Sequence, residues 1–329
     1  MSWVVRNVLG EEEINSLEGD TRDNRQRVNV FATGPDLNFK VNPSNTVIIG
    51  ARWVDTSYEV TKADSSRNVV TGSWSYKRSP QLTLSANLAG MMVDFDDDVN
   101  EDYDFGVAYV KADSQFSKTN LVTTFGYFQV DRDKTDDVDD WGARIALNHQ
   151  MSSTVAFDWE SVRKITDSSI EFLEASDSGF VGGPDALGSG GGSGSGRGGT
   201  TGDIFRLLRH AVSADYAGPS LAAGLGLYWE ERNYEEFSLL DYEEWGFGLD
   251  LSTDITADWR GRFSTGYANT DNTGINRTDK EWGVEVAVDH VLTRYTSFSM
   301  YTGYDNRDSD ESRSEYTEWV VGATIGYQR

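Results

Sequence analysis

The sequence predicts an all-β fold, a transmembrane antiparallel up-and-down β-barrel of about 16 strands with short periplasmic turns and long acidic extracellular loops. Three observations carry this expectation. Apolar side chains recur at every second position over long segments, one hairpin pattern repeats along the chain, and short connections alternate with long ones. The closing stretch EYTEWVVGATIGYQR shows the first: Trp319, Val321, Ala323, Ile325 and Tyr327 alternate with Glu318, Val320, Gly322, Thr324 and Gly326. A period of two places alternate side chains on opposite faces of a strand. In a membrane barrel the apolar face meets lipid and the small or polar face meets the lumen.

The repeat counts the strands. EDYDFGVAY, DDWGARIAL, EEWGFGLDL, KEWGVEVAV and TEWVVGATI share an acidic residue, an aromatic and then alternation, with the aromatics at Tyr103, Trp141, Trp245, Trp282 and Trp319. A second series, TFGYF, GLYWE, STGYA and YTGYD, marks the returning strand with Tyr127, Trp229, Tyr267 and Tyr304. Each unit is a β-hairpin, and the chain is a meander. Seven short turns (NPSN, SP, ADSQ, MSS, AGPS, TDITA, LTRY) separate eight long, mostly acidic links near 10–25, 60–67, 94–102, 130–139, 164–203, 232–243, 269–279 and 305–316. With SWVVRNVL as a first strand, these connect sixteen strands. Such strands exceed the five or six residues usual in globular sheets and match what a tilted strand needs to cross a bilayer.

Composition limits the function classes. The 329 residues show no internal shift, which predicts a single barrel domain over 1–329 with a Gly/Ser-rich external loop at 164–203. Asp and Glu number 54 against 29 Lys and Arg, a net charge of -25 that repels nucleic acid. Cysteine is absent, which excludes disulfides and thiolate sites and suits an oxidising compartment. There is no apolar run long enough for a membrane helix, and MSWVVRNVLG lacks the pattern of a signal peptide. The expected location is the outer membrane of a Gram-negative bacterium.

Phase assigns the faces. Leu82, Leu84, Leu88, Phe105, Val107, Ile145, Leu147, Phe157, Leu225, Leu227, Phe247, Leu249, Phe263, Val284, Val286, Phe298, Val321 and Ile325 are expected against lipid. In the opposite phase stand Arg52, Asp104, Arg144, Asp158, Glu160, Arg209, Asp215, Glu230, Glu244, Asp250, Arg260, Arg262, Glu285, Asp289 and Glu318, expected to line the lumen. Unsolvated charges at that density would cost several kcal/mol each, so the wall needs water or a plug of complementary polarity. Tyr103, Tyr127, Trp141, Trp229, Trp245, Tyr267, Trp282, Tyr304 and Trp319 are expected to form an aromatic girdle at the long-loop rim.

Chemistry beyond the wall is sparse. His149, His210 and His290 lie in no metal-ligand spacing and beside no nucleophile, so neither enzyme activity, a resident metal nor a cofactor is expected. The acidic loops DFDDDVNEDYD, DRDKTDDVDD and DNRDSDESRSE offer hard oxygen ligands but lack the spacing of a helix-loop-helix calcium site. They are expected to be solvated, with divalent bridging to lipopolysaccharide as the alternative.

The segments DTRDNRQRVNVFATGPDLNFKVNPSNTVIIGARWVDTSYE and SSRNVVTGSWSYKRSPQLTLSANL resemble the β-barrel porin family encoded with bacterial exopolysaccharide loci. The resemblance is carried by the strand with Gly34 and Pro35, the RW…YE strand, the strand entry at Arg67, and the later RHAVSADYAGPS and YTEWVVGATIGYQR. It covers most of residues 20–329 and implies polysaccharide export across the outer membrane. Two other functions compete: a general cation-leaning solute porin, and a scaffold barrel holding a lipoprotein, cytochrome or surface fibre subunit. The expected partners are the lipid bilayer and lipopolysaccharide, with a polysaccharide or a periplasmic or lumenal protein as further candidates. The hairpin repeat also predicts that Asp104, Glu244 and Glu318 gather into a partial carboxylate ring at the outer mouth. Because the background has no thiol, single cysteines report the phase directly. In intact membranes a water-soluble maleimide should label positions 250 and 285 and spare 247 and 325, and equal labelling would overturn the assignment.

Overall fold

The computed structural model describes residues 1–15, 17–18, 22–97, 100–167 and 203–327. Sixteen strands follow in order: β1 (Ser2–Glu13), β2 (Arg25–Asn42), β3 (Asn45–Tyr58), β4 (Ser65–Ser79), β5 (Leu82–Phe95), β6 (Tyr103–Gln115), β7 (Thr119–Arg132) and β8 (Val138–Gln150). The second half comprises β9 (Val155–Asp167), β10 (Ile204–Ala217), β11 (Leu221–Tyr234), β12 (Tyr242–Asp254), β13 (Trp259–Asn272), β14 (Arg277–Thr293), β15 (Thr296–Ser309) and β16 (Tyr316–Tyr327). Each strand pairs antiparallel with its sequence neighbours in a single up-and-down sheet, the meander expected of a barrel. The strands run 12 to 18 residues, longer than the roughly 9–11 a bilayer requires, so both rims project beyond the apolar band.

That surplus corrects the connections. Strand pairing continues into segments expected as loops, leaving links as short as 273–276 and 310–315. The ADSQ stretch is not a turn: Asp113 still pairs with Val122, and the turn comes at 116–118, where the Phe116 N–H donates to the Thr119 carbonyl at 2.7 Å. Most of the Gly/Ser-rich loop, residues 168–202, lies outside the described residues. Register shifts occur at Lys40/Asn42, Lys77/Ser79 and Val291/Thr293, all beside short turns, where an extra residue on one strand moves the pairing by one and bends the strand. The β2–β3 ladder breaks at Gly34 and Pro35. Proline has no N–H to give, and a Cβ on residue 34 would lie 2.0 Å from the Ala51 carbonyl oxygen.

The outer face carries two aromatic belts. Trp141, Trp245, Trp282 and Trp319 are exposed toward the long-loop rim, and Tyr304 packs between Trp282 and Trp319 with centroids 4.9 and 4.7 Å away. Trp74, Trp259, Tyr295 and Tyr327 form the second belt toward the short turns. On β13 and β16 the belts stand eight residues apart, Trp259 to Tyr267 and Trp319 to Tyr327. At about 3.3 Å per residue and a 35–45° tilt this spans roughly 20 Å, close to the height of the apolar band.

No ladder joins β1 to β16 among the described residues, and Trp319 and Val321 on the edge strand are 71% and 77% exposed against 38% for Phe247 within the wall. At the long-loop rim the two ends of the sheet meet through side chains. Arg277 and Arg307, on β14 and β15, donate to the carbonyls of Leu17 and Glu18 in the β1–β2 link, both at 2.5 Å. Asp279, fully buried between the two arginines, accepts from Arg277 at 2.9 Å and from Arg307 at 2.5 Å. Val286 lies on the outer face, half-exposed and paired with Phe263 and Thr302. Val286→Arg should destabilise the barrel by about 2–4 kcal/mol in denaturant titrations of the lipid-inserted protein.

Candidate functional site: the barrel interior

The inner face is built from one phase of every strand, and the sequence-assigned charges divide on it as follows. Arg52 pairs with Asp36 at 2.6 Å, Arg144 with Glu160 at 2.7 Å, and Arg209 with Glu230 at 3.7 Å. Nearer the short turns Arg260 meets Asp254 at 2.8 Å and Arg262 meets Asp289 at 2.7 Å. Asp158 accepts from Asn148 at 2.6 Å, and buried Glu244 accepts from Tyr228 at 2.7 Å and Thr270 at 2.6 Å. Thus all five assigned arginines are paired with carboxylates. Asp215, Asp250, Glu285 and Glu318 lie beyond ion-pair distance of any described basic group.

β6 departs from the assignment. Phe105 and Val107 are buried on the inner face, 4% exposed each, and Asp104 is exposed on the outer one. Tyr103 is likewise buried inside rather than set in the girdle, with its hydroxyl donating to Asp167. The large apolar residues of β6 turn inward because the interior holds a hydrophobic core, which alternation alone does not distinguish from lipid. The carboxylate ring therefore does not assemble: Asp104 is outside, Glu244 is buried among hydrogen-bond donors, and Glu318 borders the cavity described below. The three histidines belong to the outer phase. His149 contacts Thr119 at 2.8 Å, His210 stacks on Trp229 and His290 on Trp259. His210 and Asp215 stand on opposite faces of β10, as do His290 and Asp289 on β14.

The long-loop part of the interior beside β2–β10 is filled. Val28, Val30, Val54, Val69, Val93, Phe105, Phe128 and Val130 from β2–β7 form one buried cluster. Ile165 of β9 and Ile204 of β10 belong to it, so the end of the β9–β10 hairpin lies inside the wall formed by β2–β8. Its other side carries Phe205 and Leu207, which pack on Tyr234 and Leu240, with the Arg232 guanidinium 4.9 Å from the Phe205 ring. Asp167 closes the contact by accepting from Arg67 of β4 at 3.3 Å, both side chains being almost fully buried. Arg67 and Asp167 were not among the sequence candidates. Arg67 shares its face of β4 with Val69 but also with Ser65, Thr71, Ser73 and Ser75, so alternation gave no signal that singles it out.

A polar cavity of about 1900 Å³ lies along the inner face of β10–β16, and its lining reaches Glu59, Glu281, Asn306 and Tyr316 at the long-loop end. Gly226, Gly248, Gly266 and Gly283 are successive cross-strand partners from β11 to β14 and form a bare row on its wall. A Cβ would find nothing within 4 Å at Gly248 and its nearest neighbour at 3.5 Å at Gly266, so packing does not require glycine there. Larger residues would occupy the cavity instead. Asp215, Asp250, Ser264, Glu285 and Tyr301 line it on the short-turn side of this row. The Tyr301 ring lies over Gly322, its cross-strand partner, and so covers the wall while presenting a face to the cavity.

The acidic loops serve the rim. Asp64, Asp102, Asp137 and Asp241 each accept the backbone N–H of a residue at the end of the preceding strand: Tyr58 at 2.7 Å, Phe95 at 2.7 Å, Arg132 at 3.2 Å and Tyr234 at 2.7 Å. These are carboxylate staples for donors the ladder leaves over. Among the described residues no group of three His, Asp or Glu side chains gathers in metal-binding geometry. Distant loops also meet. Arg132 pairs with Glu236 at 3.2 Å, and Glu101 accepts from the Thr135 amide at 2.8 Å and hydroxyl at 2.6 Å. Burial works against ionisation of Glu101, but its bonds from Thr135 and Glu236 and the charge of Arg132 hold it below the usual range. Burial, the bond to Glu101 and the charges of Asp203 and Glu101 push Glu236 up, against Arg132. Asp203 is raised by burial against three backbone N–H bonds. A carboxyl raised in the closed rim stabilises closure below its ordinary pKa and loses that contribution as pH rises through the raised value. A nitroxide at Leu239→Cys, on the same loop, should therefore gain mobility as pH rises past the ordinary glutamate range. Glu236→Gln should flatten the profile, and an unchanged profile would refute the linkage.

No curated protein matches the chain. Solved outer-membrane barrels share its fold at low identity. The FrpB iron transporter from Neisseria meningitidis (F5-1 variant, apoprotein form) aligns with TM-score 0.57 and 11% identity over 99% of this chain and 61% of that one. The ferric yersiniabactin uptake receptor FyuA from Yersinia pestis gives 0.53 and 7% over 92% and 54%, and the siderophore receptor PirA from Pseudomonas aeruginosa 0.51 and 10% over 96% and 72%. The chain thus spans from about half to under three-quarters of the length of these three, and the likeness is one of fold. Residues 209–329, from within β10 to the last strand, match the family model described as "Putative beta-barrel porin 2", a narrower span than the sequence resemblance suggested. That segment is similar to the porin family, and the chain has the fold of the Gram-negative outer-membrane β-barrels.

Proposed function

We propose that the barrel is a conduit for hydrophilic solutes whose inner wall favours cations. The observation that carries this is the charge balance of the cavity. Every arginine assigned to the wall has a carboxylate within ion-pair distance, with Glu230 serving both Arg209 and Arg232, whereas Asp215, Asp250, Glu285 and Glu318 stand without a basic partner at that distance. Uncompensated carboxylates in a narrow, poorly screened space raise local cation concentration and repel anions. The bare glycine row leaves cross-section for a solute.

Exopolysaccharide export is the second reading, favoured by Tyr301 and Tyr228 on the cavity wall, where a ring face or hydroxyl can meet a sugar. Phe128, another inward aromatic, is fully buried in the core and offers no platform. The scaffold reading is weakened by size: the cavity is about the size of two or three drug-sized pockets, too small for a folded subunit. On any of these readings the belts of the outer face would contact the bilayer and the rim loops lipopolysaccharide.

Reversal potentials in planar bilayers test the proposal. Cation preference should be clear at 0.1 M salt, where the Debye length is about 10 Å, and weaken towards 1 M, where it is about 3 Å. Asp250→Asn with Glu285→Gln and Glu318→Gln should diminish it. Anion preference would overturn the assignment.

A further inference from the structure

We propose that the β9–β11 wall of the cavity carries a binding site for a sugar acid, with Arg209 taking the carboxylate and Tyr228 the ring. The inference goes beyond the cation preference of the conduit reading and rests on that reading only in needing a cavity open to solutes. Arg209 stands apart from the other arginines assigned to the wall. Arg52, Arg144, Arg260 and Arg262 donate hydrogen bonds to Asp36, Glu160, Asp254 and Asp289. Among the described residues Arg209 donates none: its Nε is buried without a partner, and its nearest carboxylate oxygen, on Glu230, is 3.7 Å away. The reason is competition. Glu230 already accepts from the Arg232 Nε at 2.7 Å and from the Tyr242 hydroxyl at 2.9 Å. A guanidinium offers five donors in a planar fork, and one that is 13% exposed and commits none of them calls for an acceptor.

The register builds a site around it. Inward residues of β10 run from Leu207, which belongs to the core, to Arg209, Ala211 and Ser213. Ala211 is the cross-strand partner of Glu160 on β9 and of Tyr228 on β11. Arg209, Ser213, Glu160 and Tyr228 therefore frame a bare alanine floor, and all five residues line the cavity. Neighbours stand about 6–7 Å away along the strand and roughly 5 Å away across it, which leaves room for one ring. The Tyr228 ring lies over Gly246, with the Arg209 guanidinium 5.9 Å from its centroid, and its other face is left to the cavity. Ser213 makes no hydrogen bond among the described residues, and Glu160 commits only one oxygen, to Arg144.

Each part recognises one feature of the same ligand. The fork of Arg209 matches a carboxylate, the electron-rich face of Tyr228 meets the C–H face of a sugar ring, and Ser213 and Glu160 meet hydroxyls. An aromatic acid would leave the last two without partners. Local charge admits an anion: Arg144, Arg209 and Arg232 stand against Glu160, Glu230 and Glu244, the last directly across from Glu230. Asp215, with Asp250 and Glu285 on its cross-strand row, lies six residues further down β10. At about 3.3 Å per residue that is roughly 20 Å, or about two Debye lengths at 0.1 M salt.

Calorimetric titration of the detergent-solubilised barrel tests the site without requiring conductance, so its failure is distinct from a failure of the cation preference. Sodium glucuronate should bind, with glucose, benzoate and acetate each at least tenfold weaker. Arg209→Gln should weaken glucuronate tenfold or more and leave glucose unchanged. Tyr228→Leu should weaken glucuronate and glucose alike and leave acetate unchanged. Ala211→Leu, which fills the floor without touching a charge, should abolish glucuronate binding. The ligand series on the unaltered protein decides the matter even where a variant fails to fold. Acetate binding as tightly as glucuronate would reduce the site to a general anion site, and equal binding of glucose would remove the role of Arg209. Either result, or no glucuronate binding, overturns the proposal.

Discussion

Everything in this protein depends on one requirement, that backbone N–H and C=O groups crossing hydrocarbon find partners within the sheet. It forces each strand beside its sequence neighbour, makes every connection a hairpin, and fixes which side chains share a face. It also makes interruptions informative. The ladder is incomplete at Gly34 and Pro35, where the β2 and β3 backbones approach closely, and between β8 and β9, where a strand leaves the wall. Where no ladder joins β1 to β16, buried charged groups grip the β1–β2 link instead.

The interior solves two problems in two ways. On its β2–β10 side apolar side chains fill the long-loop end, and a charge there meets an opposite one, as Arg67 meets Asp167. An unpaired charge in that setting would cost several kcal/mol. In the remaining cavity, bordered by glycine, serine and carboxylates, charges can remain uncompensated because solvent and mobile ions reach them. The division follows the side chains available: bulky inward residues on β5–β7, small ones on β11–β14. The acidic loops, which composition alone would leave to solvent, close this arrangement at the rim by accepting strand-end amides.

The sequence by itself determined the number of strands, their order and most of the facing. Those follow from local periodicity and from the repeat, which are written in neighbouring residues: Trp245, Phe247 and Leu249 point one way and Glu244 and Asp250 the other whatever lies across the barrel. It could not decide whether an apolar face meets lipid or a core, since burial in either environment selects the same residues. Phe105 and Val107 were therefore indistinguishable from Leu225 and Leu227, and Asp104 and Tyr103 were placed with them in the wrong phase. Only the tertiary structure decided that choice, the pairing of each arginine with its carboxylate, and the meeting of Arg67 with Asp167 a hundred residues away. Such contacts depend on how the sheet curls and where a strand departs from it, which no periodicity within a single strand encodes.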